Sequence, residues 1–248
     1  DIRNQTGDNN EASGGIMGGI HRAYSIPNFR VSGVLRKLYI PITYWRSLYH
    51  STNCFAQQSF TDGLPHAAKK DPVDFRLSLL KDHRRFYQVV KVAAEKTDWY
   101  KPRAKNTGKG ISMVERSGSF VAMVIDVVKV NSKVVIKKIT AVVDAGIVVN
   151  PDTVKAQAEG SIVMGLTATY KSAINIEKGR VAERNFHTYK MLTLQECPEM
   201  EIIVLPSEDA PEGAGEAGLP NVAPALANAI FDMTGKRIRT LPLSLDGI

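Results

Sequence analysis

Two runs dense in valine and isoleucine, Phe120 to Val130 and Val134 to Val143, joined by Asn131-Ser132, constrain the fold of this chain more than any other stretch. β-Branched side chains favour extended backbone, and a short polar junction between two such runs predicts an antiparallel hairpin. Apolar residues occupy both alternating sets of positions, so both faces of the hairpin need cover, and the sheet must lie inside a larger body.

The flanking sequence supplies that cover. Phe55, Phe60, Leu64 and Ala67 recur at near-helical spacing over 54–68, and Asp71-Pro72 offers an N-cap and a first-turn proline for a helix over 73–80. Phe86, Val89, Val90 and Ala93 fall on one face of a helix over 84–95. Earlier, Val31, Val34, Leu35, Leu38, Ile40 and Ile42 alternate loosely between Tyr24 and Trp45, interrupted by Pro27 and Pro41, which predicts one or two extended segments. The Lys- and Gly-rich stretch 101–110 reads as a linker. Beyond the hairpin, Asn150-Pro151-Asp152 opens a helix to about Thr169. Tyr170 to Ile176 with Arg180 to Glu183 resembles a second hairpin around Lys178-Gly179, and Met200 to Pro206 reads as a buried strand. A last helix, Val222 to Thr234, ends at Gly235, a favourable C-cap. The expected class is α+β, with mixed or antiparallel sheets and packed helices. Three stretches are expected: a flexible 1–23, extended segments and helices over 24–100 with a loop at 44–55, and an α+β lobe over 101–248.

Composition narrows the function classes. With 44% hydrophobic and 23% charged residues an extensive disordered region is not expected. The net charge of +7 is scattered in pairs such as Lys69-Lys70, Arg84-Arg85 and Lys137-Lys138, without a basic and aromatic module, so no nucleic-acid partner is expected. Cys54 and Cys197 stand far apart and are expected to be free; two thiolates are too few for an all-cysteine zinc or iron–sulfur site. His21, His50, His66 and His83 show no metal-ligand spacing, and no histidine is placed to activate Cys54 as a nucleophile. No apolar run approaches the roughly 18 residues of a membrane span. The chain opens at Asp1 without an initiator methionine, and it reads as a processed chain, a split subunit or a fragment.

The chemistry concentrates in Gly213-Ala214-Gly215-Glu216-Ala217-Gly218-Leu219-Pro220, where one carboxylate stands among glycines just before a helix of small residues. Glycine lets backbone approach a ligand closely because no Cβ intervenes. On the residues alone, Glu216 is either a catalytic base or an exposed loop glutamate whose neighbours serve turn geometry. Asp126 and Asp144, within strand-like runs, are expected to serve strand-end hydrogen bonding.

Three segments, in one order, resemble the C-terminal half of the molybdenum-binding large subunit of the xanthine oxidase family of molybdenum hydroxylases. They are Tyr44-Trp45-Arg46-Ser47 with Asn53 and Phe55; Asp144 to Pro151 continuing to Gln157-Ala158-Glu159-Gly160 and Gly165-Leu166; and Gly215-Glu216-Ala217-Gly218 with Ala223-Pro224-Ala225 and Ala227-Asn228-Ala229-Ile230. The resemblance runs from about Tyr24 to Leu243 and is greatest to the isoquinoline 1-oxidoreductase beta subunit and related bacterial aldehyde dehydrogenases. It implies that Glu216 is the general base that deprotonates a molybdenum-bound hydroxide, whose oxygen then adds to an aldehyde or N-heteroaromatic carbon. A tight, apolar loop would suit that role, since desolvation raises a carboxylate toward the working range of a base.

It further implies that Trp45, Arg46, Ser47, Gln157, Gly160, Gly213 and Gly215 contact the cofactor, with Gly160 and Gly165 permitting close helix approach. No side chain of this chain is expected to ligate molybdenum. Two of these residues have plainer readings, Arg46 as a solvated arginine at a strand end and Gln157 as a helix-surface amide. Tyr49 and His50 follow where members of the family often carry smaller residues. His187, with Phe186 and Tyr189, is a candidate for lining a substrate funnel or is a packing or surface residue.

The implied cofactor is molybdopterin with molybdenum, in bacteria the cytosine dinucleotide form. The implied partners are a polypeptide carrying the other half of the large subunit, since its glycine–glutamine–glycine segment is not found here, and a small subunit with two [2Fe–2S] clusters. A cytochrome or other acceptor could follow, and the substrate is a small molecule. A non-catalytic structural or assembly subunit of such a complex is the alternative, and an unrelated soluble binding module a more distant one. Periplasmic, membrane-associated and cytoplasmic placements all stay open.

Overall fold

β-Branched density does produce the expected ladder, and it draws in a third strand. In the computed structural model, which describes residues 14–20, 22–33, 40 and 43–247, α1 (His50–Thr61), α2 (Gly63–Ala67), α3 (Pro72–Leu79) and α4 (Arg84–Lys96) precede an antiparallel meander. The meander consists of β1 (Thr107–Arg116), β2 (Ser119–Val130) and β3 (Lys133–Asp144). Then come α5 (Pro151–Leu166), the short pair β4 (Ile176–Glu177) and β5 (Arg180–Val181), β6 (Glu199–Val204), and α6 (Leu219–Thr234). β6 adds to β3 in parallel, giving the order β1-β2-β3-β6. The β2–β3 turn passes through Asn131 at φ +56°, a left-handed conformation that asparagine tolerates.

Both faces of the sheet are covered, as the double apolar pattern requires. On one face Val121, Met123, Ile125, Ile139 and Ala141 pack against Ile162 and Leu166 of α5 and against Val222, Leu226 and Ile230 of α6. On the other, Ile111, Met113, Ala122 and Val124 meet Val73 of α3 and Phe86, Val89, Val90 and Ala93 of α4. Asp71 caps α3 by accepting from the backbone N–H groups of Val73 (2.7 Å) and Asp74 (3.1 Å), and Gly235 ends α6 at φ +73°.

The stretch 101–110 is not all linker, because β1 begins at Thr107. Its glycines read as breakers, but they are there for α6: a Cβ on Gly110 would lie 2.1 Å from the Ala225 carbonyl oxygen, and one on Gly108 2.3 Å from that of Ala229. Only at glycine can helix backbone approach a strand so closely. Buried asparagines fix the same contact. Asn228 donates to the Ile111 carbonyl at 3.1 Å, while the Ser112 hydroxyl donates to Asn221 Oδ1 at 2.9 Å.

Three other expectations change. The strand expected over Met200 to Pro206 is β6, Glu199–Val204, an edge strand in which only Ile202 is buried, since among the described residues nothing pairs with its far side. Tyr170 does not enter a hairpin, because the end of α5 continues as a π-helical turn, Thr167–Lys171, and the hairpin shrinks to two residues on each side. No strand occurs among the described residues between Tyr24 and Trp45, and Val34, Leu35, Leu38 and Ile42 lie outside the described residues, as do His21 and residues 1–13.

Candidate functional site

Glu216 leaves β6 through an extended connection that is tied down at each step. The Ile147 amide donates to the Asp209 carbonyl at 2.9 Å, the Glu212 amide to the Ala145 carbonyl at 3.0 Å, and the Gly213 amide to the Ser117 carbonyl at 3.0 Å. A Cβ on Gly213 would lie 2.8 Å from Ser117 Cβ, so this glycine is required by packing on the β1–β2 turn. At the other end Gly218 lies on α5, where a Cβ would fall 2.2 Å from Ser161 Oγ. The loop is clamped on both sides of the carboxylate.

The loop before α1 meets it there. Ser47 and Leu48 take left-handed backbone, φ +68° and +50°, a conformation that non-glycine residues hold only where surroundings impose it. Ser47 is fully buried, its hydroxyl donating to the Glu216 carbonyl oxygen at 2.7 Å and its amide N–H to Glu216 Oε1 at 3.4 Å. Arg46 reaches across. Its Nε donates to the Gly215 carbonyl at 2.8 Å, and its Nη2 to the same carbonyl, to Gln157 Oε1 at 3.0 Å and to the Gln157 carbonyl at 3.2 Å. One guanidinium thus joins the three segments that the sequence singles out.

Other candidates land elsewhere or in a different role. Trp45 is 40% exposed at the mouth of this loop. Gly160 does not permit a close helix approach, since a Cβ there would meet only Arg46 Nη1 at 3.8 Å; Gly165 does, with Val222 Cγ2 2.7 Å from the corresponding position. Gly215 faces open space, with nothing within 4 Å of a Cβ. His187 and Phe186 are exposed on a chain excursion between Ser172 and Lys190, where local bonds such as Thr188 to Asn185 hold the backbone. No described hydrogen bond or ion pair joins them to Glu216. Asp144 ends β3 and pairs with Arg85, as expected of a strand-end carboxylate, whereas Asp126 pairs with Lys109 from within β2, beside the register shift at Asp126/Val127, and is not at a strand end. Cys54 and Cys197 are free, and burial pushes the Cys54 thiol far above its ordinary range. Among the described residues no group of three or more His, Cys, Asp or Glu side chains is placed to hold a metal ion.

Arg116 is not expected at the site, and His50 is marked in the sequence only as a residue larger than the family often carries there. Arg116, the last residue of β1, pairs through Nη2 with Glu216 Oε2 at 2.5 Å. With its side chain 35% exposed and ion-paired, Glu216 is not enclosed in an apolar loop within this chain. His50, at the start of α1, sits in the same field: burial first, then the Arg116 charge, depress its imidazole below the ordinary value, with Glu115 and Glu216 opposing. The sequence signal for Arg116 is faint, since a charged pair before Ser117-Gly118 reads as a solvated turn.

A molybdopterin cofactor-binding domain matches residues 59–198, more than half of the chain. The chain belongs to that family. The match includes Gln157 and Gly160, while Arg46, Ser47 and Glu216 lie to either side of it. Similarity to individual proteins extends further. The chain is 32% identical over 227 residues to the beta subunit of isoquinoline 1-oxidoreductase from Brevundimonas diminuta, covering 89% of this chain and 29% of that protein. It is 35% identical over 254 residues to a protein of Gluconacetobacter polyoxogenes named membrane-bound aldehyde dehydrogenase [pyrroloquinoline-quinone], covering 92% and 32%. A nicotinate dehydrogenase subunit from Pseudomonas putida is 30% identical over 226 residues, covering 83% and 19%. The chain thus spans about a third or less of the length of these relatives. The aldehyde oxidoreductase of Desulfovibrio gigas has the same fold over 80% of this chain and 40% of its own, at a TM-score of 0.61 and 12% identity.

The residues present suit such a cofactor. A phosphate- and oxygen-rich group calls for cations and backbone donors beside an unobstructed surface. The cationic Arg46 and the open face of Gly215 lie side by side, and Arg116 Nε is buried with no acceptor among the described residues.

Proposed function

We propose that this chain forms one wall of the active site of a molybdenum hydroxylase that oxidises an aldehyde or an N-heteroaromatic carbon with oxygen drawn from water, and that Glu216 is its general base. The observation that carries the reading is the convergence of Gln157 and the Gly215-Glu216 loop, each more than 100 residues from Arg46 in sequence, on the Arg46 guanidinium. The bound cofactor supplies the two-electron acceptor. This chain's residues supply orientation and proton transfer: Arg46 fixes the Gly215 carbonyl, Ser47 fixes the Glu216 backbone, and the Glu216 carboxylate receives the proton released as oxygen adds to the substrate carbon.

Trp45, Arg46, Ser47, Gln157, Gly160, Gly213 and Gly215 form or support the cofactor-facing surface, and the cofactor is the cytosine dinucleotide form. The relatives are three or more times longer than this chain, which supports an opposite wall on a further polypeptide segment. The relatives named as subunits support partner chains; in this proposal one of them is a small subunit with two [2Fe–2S] clusters that takes the electrons. No helix among the described residues is long and apolar enough to cross a membrane.

Metal analysis of the purified native assembly, combined with dye reduction by an aldehyde and by an N-heterocycle, tests the proposal. Molybdenum and iron together with substrate-dependent reduction are expected. An intact assembly without molybdenum, or one carrying a quinone in its place, overturns it.

A further inference from the structure

Arg116 lies outside every motif discussed for the cofactor, yet it makes the shortest contact to the candidate base. We propose that Arg116 is a positioning residue for Glu216: it holds Oε2, so that Oε1 is the oxygen that takes the proton. The proposal rests on the reading of Glu216 as the base.

The geometry of the β1–β2 turn carries the argument. Arg116 pairs in register with Ser119, leaving Ser117 and Gly118 as a two-residue loop at φ +54° and +79°, the tight hairpin form in which both central residues are left-handed. That turn is locked to the Glu216 loop. The Gly213 amide donates to the Ser117 carbonyl, the Gly118 amide donates to Glu115 Oε1 at 2.7 Å, and a Cβ on Gly118 would fall 2.2 Å from the Glu212 carboxyl carbon. The Arg116 Cα therefore has a fixed position relative to Glu216, and its guanidinium approaches from one side only.

The two carboxylate oxygens are unequal as a result. Oε2 takes a charge-assisted bond at 2.5 Å, whereas Oε1 has the Ser47 amide at 3.4 Å, the long limit of a hydrogen bond. An oxygen held by a guanidinium is the poorer proton acceptor of the two, and the other is aimed by the same contact. Arg116 is also not arranged for stability alone, since its buried Nε lacks an acceptor among the described residues and such an orphan donor is a cost. His50, Glu115, Glu212 and Arg46 are the other titratable groups beside this loop, and Arg46 is committed to the Gly215 carbonyl and Gln157. None supplies a second cation to do the work of Arg116, because the His50 ring is held toward its neutral form.

The test uses the assembled native enzyme carrying Arg116→Gln, Arg116→Lys, Glu216→Gln, or Arg116→Gln with Glu216→Gln. Arg116→Gln is expected to lower kcat about ten-fold with KM within about two-fold and molybdenum content unchanged, and Arg116→Lys to recover part of the loss. Independently of turnover, Arg116→Gln should shift the unfolding midpoint less when Glu216 is already Gln than when it is Glu, as residues in direct contact require. A wild-type kcat in whichever Arg116 variant assembles, or additive midpoint shifts, overturns the proposal while leaving the role of Glu216 intact. Near-normal turnover by Glu216→Gln instead removes the reading on which it rests.

Discussion

Two arginine–carboxylate pairs in this molecule look alike in sequence and differ in construction. Asp144, at the end of β3, accepts from Arg85 Nε and Nη2 at 2.8 Å each, and from the Gly146 amide at 3.1 Å, with side-chain exposures of 15% for Arg85 and 6% for Asp144. Arg85 also stacks over the Phe120 ring at 4.3 Å. Both carboxylate oxygens are used, and the ring covers a face of the guanidinium. Glu216 has one arginine on one oxygen, a third of its side chain exposed, and open space beside Gly215. The first pair, with Asp209 a longer 3.5 Å from Arg85 Nε, locks a helix to the sheet. The second leaves one acceptor held only by the Ser47 amide at 3.4 Å, which is what a working carboxylate needs.

Substitution separates the two roles. Glu216→Gln keeps shape and removes basicity, so turnover of the assembled enzyme should fall by about 10²–10⁴-fold with molybdenum content and melting temperature near those of the parent, read by dye reduction, metal analysis and calorimetry. Unchanged turnover would erase the distinction from the functional side. Asp144→Asn should do the reverse. Removing one partner of a pair this buried leaves Arg85 only the longer contact to Asp209 at 3.5 Å and is expected to cost about 3 kcal/mol in denaturant unfolding, with activity per folded molecule preserved. A stability loss below about 1 kcal/mol would place Asp144 with ordinary surface pairs.

The same pair has an acid signature. Burial alone would raise the Asp144 carboxyl, but its hydrogen bonds to Arg85 and Gly146 overcome this and hold it below the ordinary carboxylate range. A carboxyl depressed in the folded state binds fewer protons than in the unfolded chain, so its stabilisation is present above the unfolded value, near 4, and is lost as pH falls through the folded value. Unfolding midpoints between about pH 5 and pH 2 should fall less steeply in Asp144→Asn than in the parent. Equal slopes would assign the acid sensitivity elsewhere.

The contrast also explains which parts of the molecule were legible in sequence. Asp71-Pro72, the α4 face of Phe86, Val89, Val90 and Ala93, and the β2–β3 hairpin are local patterns, and each element formed where its pattern lies. The start of β1 was hidden because Gly108 and Gly110 answer to α6, a partner more than 100 residues later. β6 was given too much cover because an apolar run does not reveal whether it is central or at an edge. At the site, Arg46, Gln157 and Glu216 were visible through motif order, and their meeting on one guanidinium accords with it. Arg116 was not, and His50 was visible only as an unusually large residue after the loop, since the charge setting of each comes from a neighbour brought in by tertiary packing.

Arg46 allows a smaller test of the site's rigidity. Lysine keeps the charge and loses the planar fork, so Arg46→Lys should give up part of the Gly215 and Gln157 bonds, a change of about 1–2 kcal/mol confined to the loop. Amide exchange over 213–218 should then quicken about ten-fold while exchange in β2 and β3 stays at the parent rate. Uniform quickening would mean that the loop is part of the core's cooperative unit, and that the site is no softer than the Arg85–Asp144 corner.

The smallest effect is expected at His50. Its imidazole is depressed in the folded protein, so above the unfolded value, near 6.5, both states are neutral and nothing changes with pH. As pH falls below that value the unfolded chain takes up a proton that the folded one resists, and stability declines. This occurs well above the window in which Asp144 acts, so the two regions separate on the pH axis. His50→Gln should flatten the unfolding midpoint between about pH 6.5 and pH 5 and leave the acid limb below pH 4 in place. A slope that survives the substitution would show that the Arg116 field does not reach the imidazole, and that the Glu216 corner is more open to water than its contacts imply.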